Sequence, residues 1–199
     1  MRKKVGLTGG MGSGKSIIAK IFETIGIPVF NADTIAKKLM EQDPELKQKI
    51  TQLFGTDTYL DGKLNRAFLA GIVFNDKEKL ALLNNVVHPA TLAAAMDWMN
   101  QQTAPYMVKE AALIFEAGAE KQLDLVIGVS APKDMRMKRV MERDGIGKEQ
   151  AEARMRNQMD DTEKMSLCDH VIINDEKHLI VPQVLRIHQT IMNSTKRIL

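Results

Sequence analysis

Hydrophobic residues along this chain alternate between short continuous runs and helical spacings, a pattern that predicts strands and helices in turn. The run Val5–Thr8 predicts a buried strand, and the apolar positions that follow at helical spacing as far as Ile25 predict a helix. The run Ile27–Phe30 predicts a second strand. A strand, a helix and a strand in this order form a βαβ unit, so we expect the first two strands to be parallel.

Residues 34–89 carry a different pattern, with helical spacings and little strand signal. Asp43-Pro44 combines a capping residue with a first-turn proline and predicts a helix that Gly55 ends. Apolar stripes predict further helices within 68–73 and 80–87. We therefore expect a helical block, inserted after the second strand, that binds a substrate.

The alternating pattern resumes after residue 89. A helix face is predicted within 92–99, and later helices begin near Pro132, Lys148 and Ile180. Further strands are predicted within Tyr106–Phe115, Leu125–Val129 and Val171–Ile173. The sequence thus predicts an α/β fold, with a parallel sheet of about five strands and helices on both faces.

Composition narrows the functional classes. Apolar residues make up 44% of the 199 residues, which is enough for a core, and the net charge of +3 is far from the basic stripe of a nucleic-acid binder. Cys168 has no second cysteine to pair with in this chain. The basic start Met1–Lys4 leads into too short an apolar run for a signal peptide. We expect a cytoplasmic protein without nucleic-acid, membrane or obligate protein partners.

The segment Gly9–Ser16 matches the pattern G-x-x-x-x-G-K-S/T of a phosphate-binding loop. Its glycines allow a tight turn whose amides, with the positive end of the next helix, cradle phosphate oxygens. Lys15 would place a charge on the terminal phosphates, and Ser16 would offer a hydroxyl ligand to Mg²⁺. The predicted nucleotide-binding residues are Gly10, Met11, Gly12, Ser13, Gly14, Lys15 and Ser16.

This loop by itself does not name the reaction. Switch GTPases share it, but they usually carry an N-K-x-D motif, which is absent here. Asp144–Gly147 matches D-x-x-G, yet it follows a basic helix instead of a strand. A small chain with an inserted helical block resembles a metabolite kinase, and a nucleotide-binding module that switches a partner stays open as an alternative.

Asp33 follows the second predicted strand, at the sheet edge where open α/β folds bind ligands. A carboxylate there could orient an acceptor hydroxyl and take its proton. Alternatively, Asp33 only caps a helix that begins near Thr34.

Arg136, Arg139 and Arg143 are spaced to share one helix face. Such a run is commonly a solvated surface. It could instead belong to a lid, hinged at Gly145 and Gly147, whose guanidinium groups neutralise charge on a transferring phosphoryl group.

Gly6–Ser16, followed by Asn31–Ala36, resembles the dephospho-coenzyme A (dephospho-CoA) kinase family, which typically shows G-L-T-G-G-I-G-S-G-K-S and then D-A-D-x-I-A. Further similarities extend along most of the chain: Leu64–Arg66 with Val73-Phe74, His88-Pro89, Leu113–Glu116, Arg139 with Arg143, Gln158, and Asp169–Asn174.

The resemblance implies the fold of P-loop hydrolases and kinases, and a reaction in which ATP phosphorylates the ribose 3′-hydroxyl of dephospho-CoA. It implies that Asp33 is the catalytic base. The other implied roles are catalysis for Lys15 and Arg139, ATP binding for Arg143 and Asn174, and acceptor binding for Asp33, Arg66 and His88. Implied regions within one domain 1–199 are a core (1–33, 90–135 and 160–199), a helical acceptor-binding subdomain (34–89) and a lid (136–159).

The chain departs from the family pattern at a few positions. Asn31 and Asn65 stand where aspartate is usual, and Met11 stands where isoleucine is usual. The substitution at Asn31 puts any role of a second carboxylate there in doubt.

Overall fold

The computed structural model describes residues 2–73 and 76–196, so Phe74 of the family-like Val73-Phe74 pair lies outside the described residues. The strands are β1 (Lys3–Thr8), β2 (Val29–Asn31), β3 (Tyr59–Leu60), β4 (Lys63–Leu64), β5 (Tyr106–Glu110), β6 (Leu125–Ser130) and β7 (His170–Ile173). The α-helices are α1 (Lys15–Thr24), α2 (Ala32–Gln42), α3 (Pro44–Phe54), α4 (Arg66–Val73), α5 (Lys77–Gln101), α6 (Lys133–Asp144), α7 (Lys148–Arg156), α8 (Asp161–Ser166) and α9 (Ile180–Lys196).

The chain divides into two compact units. Met1–Asn31 and Gln102–Leu199 form the first, which we call the core unit, and Ala32–Gln101 forms the second, which we call the helical unit. The predicted boundaries of the subdomain, 34–89, and of the lid, 136–159, remain predictions.

In the described part of the core unit, five strands form one sheet in the order β2-β5-β1-β6-β7. Every neighbouring pair is parallel. The predicted five-stranded parallel sheet is therefore confirmed, and β1 and β2 are parallel although β5 lies between them. Because all the strands run the same way, their carboxyl ends share one edge, and the loop after β1 begins there.

Helices cover both faces of this sheet. On one face, α1 and α9 bury Ile18, Phe22 and Val184 against Ile127 and Val129 of β6. Gly128 lies between those two strand residues, and the space where its side chain would be is filled by Met165 of α8 and by Cys168, which follows that helix. Since alternate strand residues point to opposite faces, α8 covers the other face.

The helical unit has its own small core, in which Leu64, Leu69 and Val73 are buried. The predicted cap of α3 is confirmed, because the Asp43 carboxylate accepts the Leu46 N–H at 2.9 Å and Pro44 opens the helix. A β3–β4 hairpin, which the sequence did not predict, precedes α4.

The prediction of separate helices on either side of Pro89 was wrong, because α5 runs unbroken from Lys77 to Gln101. A proline removes one backbone hydrogen bond, and a helix of 25 residues keeps nearly all the others. Beyond Pro89, burial of Thr91, Ala95 and Met99 stabilises the helix. Neither α5 nor any other helix of the described residues is long and apolar enough to cross a membrane.

Candidate active site

The glycine-rich loop joins the end of β1 to the start of α1. Gly14 precedes the helix with a φ of 93°, and the Ser13 N–H donates to the Gly10 carbonyl at 3.1 Å, which closes a turn inside the loop. A helix start preceded by such a turn concentrates backbone N–H groups on one side. The loop therefore has the construction of an anion-binding site.

Two of the glycines are required by close packing as well as by backbone angle. Gly12 has a φ of 78°, and a side chain there would collide with the backbone of Arg136. A side chain at Gly14 would collide with the side-chain amide of Asn174. Only glycine combines this conformation with such close neighbours.

The Lys15 side chain folds back over the loop. Its exposed fraction is 9%, and Nζ donates to the carbonyls of Gly9 at 2.8 Å and Gly10 at 3.3 Å. The ammonium group thus lies beside the amides that would receive phosphate. Ser16, one residue further along α1, is exposed, so its hydroxyl is accessible.

Asn174 supports the loop from the end of β7. Its side chain is buried, and Nδ2 donates to the Ser13 carbonyl at 2.8 Å. Its backbone N–H donates to Ser130 at the end of β6. The structure thus gives Asn174 a contact with the loop itself, and a contact with ATP remains a prediction.

The two predicted lid arginines of α6 have different partners. Arg139 reaches the loop, where Nη1 donates to the Gly12 carbonyl at 3.4 Å, and it also pairs with Glu176 at 3.0 Å. Arg143 pairs with its neighbour Asp144 at 2.7 Å. That hydrogen bond raises the pKa of Arg143 and lowers the pKa of Asp144. Arg139 therefore lies at the loop, whereas the guanidinium of Arg143 is engaged within its own helix end.

Arg136 is closer to the loop than the sequence suggested. It is buried, its backbone packs on Gly12, and its guanidinium lies against Gly10 and 3.3 Å from the Asp161 carboxylate. The three-residue spacing from Arg139 placed it on the correct face, but no sequence signal marked it as the buried member of the run.

A carboxylate that the sequence did not single out lies at the carboxyl edge of the sheet. Glu110 ends β5, is buried, and accepts a hydrogen bond from the side-chain amide of Asn31 at the end of β2. An aspartate at residue 31 would instead place two like charges side by side. The family departure at Asn31 therefore gives Glu110 a hydrogen-bond donor that orients its carboxylate, on the strand next to β1.

Glu116 forms an ion pair with Lys164 of α8, in which Lys164 is buried and Glu116 reaches the surface. The Lys164 side chain is fully buried, and its Nζ lies 2.8 Å from Glu116 and donates to the Ala112 carbonyl at 3.0 Å. Glu116 also accepts the Met159 N–H at 2.9 Å. Burial would raise the pKa of Glu116, but the hydrogen bonds from Lys164 and Met159 outweigh it and hold the pKa below its usual value.

Replacing Glu116 by glutamine is expected to lower the free energy of unfolding by about 1–3 kcal/mol, because it leaves the buried Lys164 ammonium without its counter-charge, while solvent at the Glu116 end screens part of the loss. As the pKa of Glu116 is lower in the folded than in the unfolded chain, this stabilisation is complete above the unfolded pKa. It is lost as the pH falls through the folded pKa, so the difference from wild type should shrink on acidification. Urea denaturation of both proteins at several pH values measures this difference in the free energy of unfolding.

Glu142→Gln is the matched control, since Glu142 and Lys138 are 66% and 76% exposed and 4.0 Å apart. Glu142→Gln should lower the free energy of unfolding by less than about 0.5 kcal/mol. Equal stabilities of the two variants would contradict a stabilising role of the Glu116–Lys164 pair.

The remaining predicted residues lie in the helical unit. Asp33 is exposed in the first turn of α2, which begins at Ala32, so the idea that Asp33 caps a helix beginning near Thr34 is wrong. Arg66 is exposed at the start of α4 and pairs with Glu41 at 2.9 Å. His88 is exposed in the middle of α5. Their predicted roles remain predictions.

The residues present fit a magnesium ion that is carried largely by a nucleotide. In the described ranges 2–73 and 76–196, no cluster of three or more His, Cys, Asp or Glu side chains could hold a metal. Magnesium usually binds through one or two protein oxygens together with phosphates and water. The accessible Ser16 hydroxyl beside the phosphate loop suits that arrangement.

Comparisons with known proteins agree with the geometry of the loop. A family model described as dephospho-CoA kinase matches residues 3–179. The chain is 37% identical to a dephospho-CoA kinase of Porphyromonas gingivalis, over 97% of this chain and 95% of the relative. Among solved structures, a protein from Thermus thermophilus has a TM-score of 0.85 at 33% identity, covering 95% of this chain and 97% of that one. A dephospho-CoA kinase from Campylobacter jejuni has a TM-score of 0.71 at 30% identity, covering 98% and 99%.

Proposed function

The chain belongs to the dephospho-CoA kinase family, and from this premise we propose how its own residues perform the reaction. The enzyme transfers a phosphoryl group from ATP to the ribose 3′-hydroxyl of dephospho-CoA, giving coenzyme A and ADP in the last step of coenzyme A biosynthesis. The family match along residues 3–179 is the observation that carries this function.

Phosphoryl transfer needs positioned charge more than covalent chemistry, because negative charge spreads over the phosphoryl oxygens in the transition state. The loop Gly10–Ser16 holds the phosphates with those of its amides that have no partner inside the protein, and Lys15 and Arg139 supply positive charge. Both side chains already contact loop carbonyls, which supports this assignment. We assign ATP contacts also to Arg143 and Asn174.

The acceptor side of the reaction falls to the helical unit. Asp33 orients the 3′-hydroxyl and takes its proton as the new P–O bond forms and the bond to ADP breaks. Its exposed position in the first turn of α2 leaves the carboxylate accessible to a substrate. Arg66 and His88 bind dephospho-CoA. On binding, Arg66 would exchange its Glu41 partner for an acceptor phosphate.

Ser16 would hold Mg²⁺, which supplies charge neutralisation to the ATP phosphates when bound. We further propose that residues 34–89 bind the acceptor and that residues 136–159 act as a lid that excludes water. A cytoplasmic location, and the lack of nucleic-acid, membrane and obligate protein partners, remain predictions.

A coupled assay of ADP formation tests the function. With ATP and Mg²⁺ present, the rate should rise on addition of dephospho-CoA and not on addition of a nucleoside or a sugar. A rise only with another acceptor would favour a different metabolite kinase. Slow formation of ADP by hydrolysis, which no acceptor accelerates, would favour a nucleotide switch. Either outcome would refute the proposal.

A further inference from the structure

The phosphate loop is tied to the proposed lid through one of its own amides. The backbone N–H of Met11 donates to Oε1 of Gln158 at 2.8 Å. The Met11 side chain packs against the cluster formed by Met137, Val140 and Ala151 of α6 and α7. Residues of the 136–159 segment therefore hold Met11 by both its main chain and its side chain.

Gln158 is itself held in a defined place. The next residue, Met159, donates its N–H to Glu116, whose carboxylate pairs with the fully buried Lys164. Because Lys164 is fixed in the interior of the core unit, the segment that carries Gln158 is anchored through Glu116, independently of the loop. The side-chain oxygen is thus presented to Met11 from a fixed support.

We propose that Gln158 is a positioning residue for the phosphate loop. Its side-chain oxygen holds the Met11 amide, so that the loop without nucleotide already has the shape that receives the β-phosphate. This inference rests on the proposed function. A preorganised loop loses less entropy when the ligand binds. The neighbouring contact of Arg136 with Gly10 and Gly12 supports the same part of the loop from the other end of the segment.

The surroundings of Gln158 separate this role from a purely structural one. Gln158, Arg136 and Met155 help to line a cavity of about 380 Å³. If the Gln158 side chain is truncated, water from this cavity can take its place at the Met11 amide, so the folded state should lose little stability. Water does not hold the loop in one position, however, so the effect should appear in nucleotide affinity.

Two variants and a control make the test. Gln158→Ala removes the side chain, and Gln158→Met keeps its length without the amide oxygen. Gln150→Ala makes the same chemical change at an exposed position of α7. The affinities of each protein for ADP and for AMP, which lacks the β-phosphate, are measured by calorimetry. Exchange of the Met11 amide is followed by NMR of protein with ¹⁵N-labelled methionine, and Met11→Leu identifies the signal.

Both Gln158 variants should weaken ADP binding by about 3–10-fold, as expected for one lost hydrogen bond, and leave AMP binding unchanged. The Met11 amide should exchange slowly in wild type and faster in both variants, and Gln150→Ala should match wild type. Unchanged or tighter ADP binding, or an equal loss for ADP and AMP, would overturn the inference. So would rapid exchange of the Met11 amide in wild type, a measurement that needs no change at Gln158. None of these experiments uses an acceptor, so they can fail while the dephospho-CoA assay succeeds, and the reverse.

Discussion

Asp33→Asn is expected to lower kcat by about 10²–10⁴, the usual contribution of a general base, while ATP affinity is largely kept. Asparagine has nearly the same size but cannot accept the proton of the attacking hydroxyl. The predicted contacts with ATP come from the loop, Arg139, Arg143 and Asn174, none of which this substitution alters. Steady-state kinetics with dephospho-CoA, together with ATP binding by calorimetry, measure the two effects separately.

Asp43→Asn is the matched control within the helical unit. Asp43 is a true cap, whose carboxylate accepts the Leu46 N–H, and asparagine caps helices as well as aspartate does. Its turnover should equal that of wild type. If Asp33→Asn also keeps normal turnover, Asp33 only favours the start of α2 through its charge, and the enzyme's base must be sought elsewhere.

Lys15→Ala is expected to lower kcat by about 10²–10³, the cost of removing one preorganised stabilising group at the transferring phosphoryl, and to weaken ATP binding. The structure explains why both turnover and ATP affinity should decrease. The Lys15 ammonium bonds the carbonyls of Gly9 and Gly10, so its removal takes away a phosphate ligand and a support of the loop. Turnover and ATP affinity are measured as for Asp33.

Lys20→Ala serves as the control for Lys15, because Lys20 lies on the same helix with its side chain 76% exposed and paired with Glu23. Its kinetics should match wild type. Near-normal values for Lys15→Ala as well would refute the role assigned to Lys15.

Several parts of the molecule follow from local sequence patterns. Glycines at fixed spacing before Lys15 and Ser16 predict the phosphate loop, because the required backbone angles and amide directions arise within a few residues. Apolar runs predict the parallel strands, because a strand buried on both faces reads as continuously apolar. Asp43-Pro44 likewise predicts the start of α3. Resemblance along the chain then identifies the substrate.

Other parts of the fold could not be predicted from the sequence, because tertiary contacts outweighed the local conformational preferences of the residues. Pro89 predicts a helix end, yet burial beyond it outweighs one lost hydrogen bond in α5. Lys164 reads as a surface residue of a short polar helix, yet it is fully buried because Glu116 and the Ala112 carbonyl satisfy its charge.

By itself, then, the sequence determined the phosphate loop, the class of fold and the family, all of which are written in short motifs and periodicities. Only the tertiary structure decided what surrounds the loop. The partners of Ser13 and Met11 are Asn174 and Gln158, which are 161 and 147 residues away along the chain. No local pattern specifies such contacts, because they exist only once the strands have aligned and the helices have packed beside them.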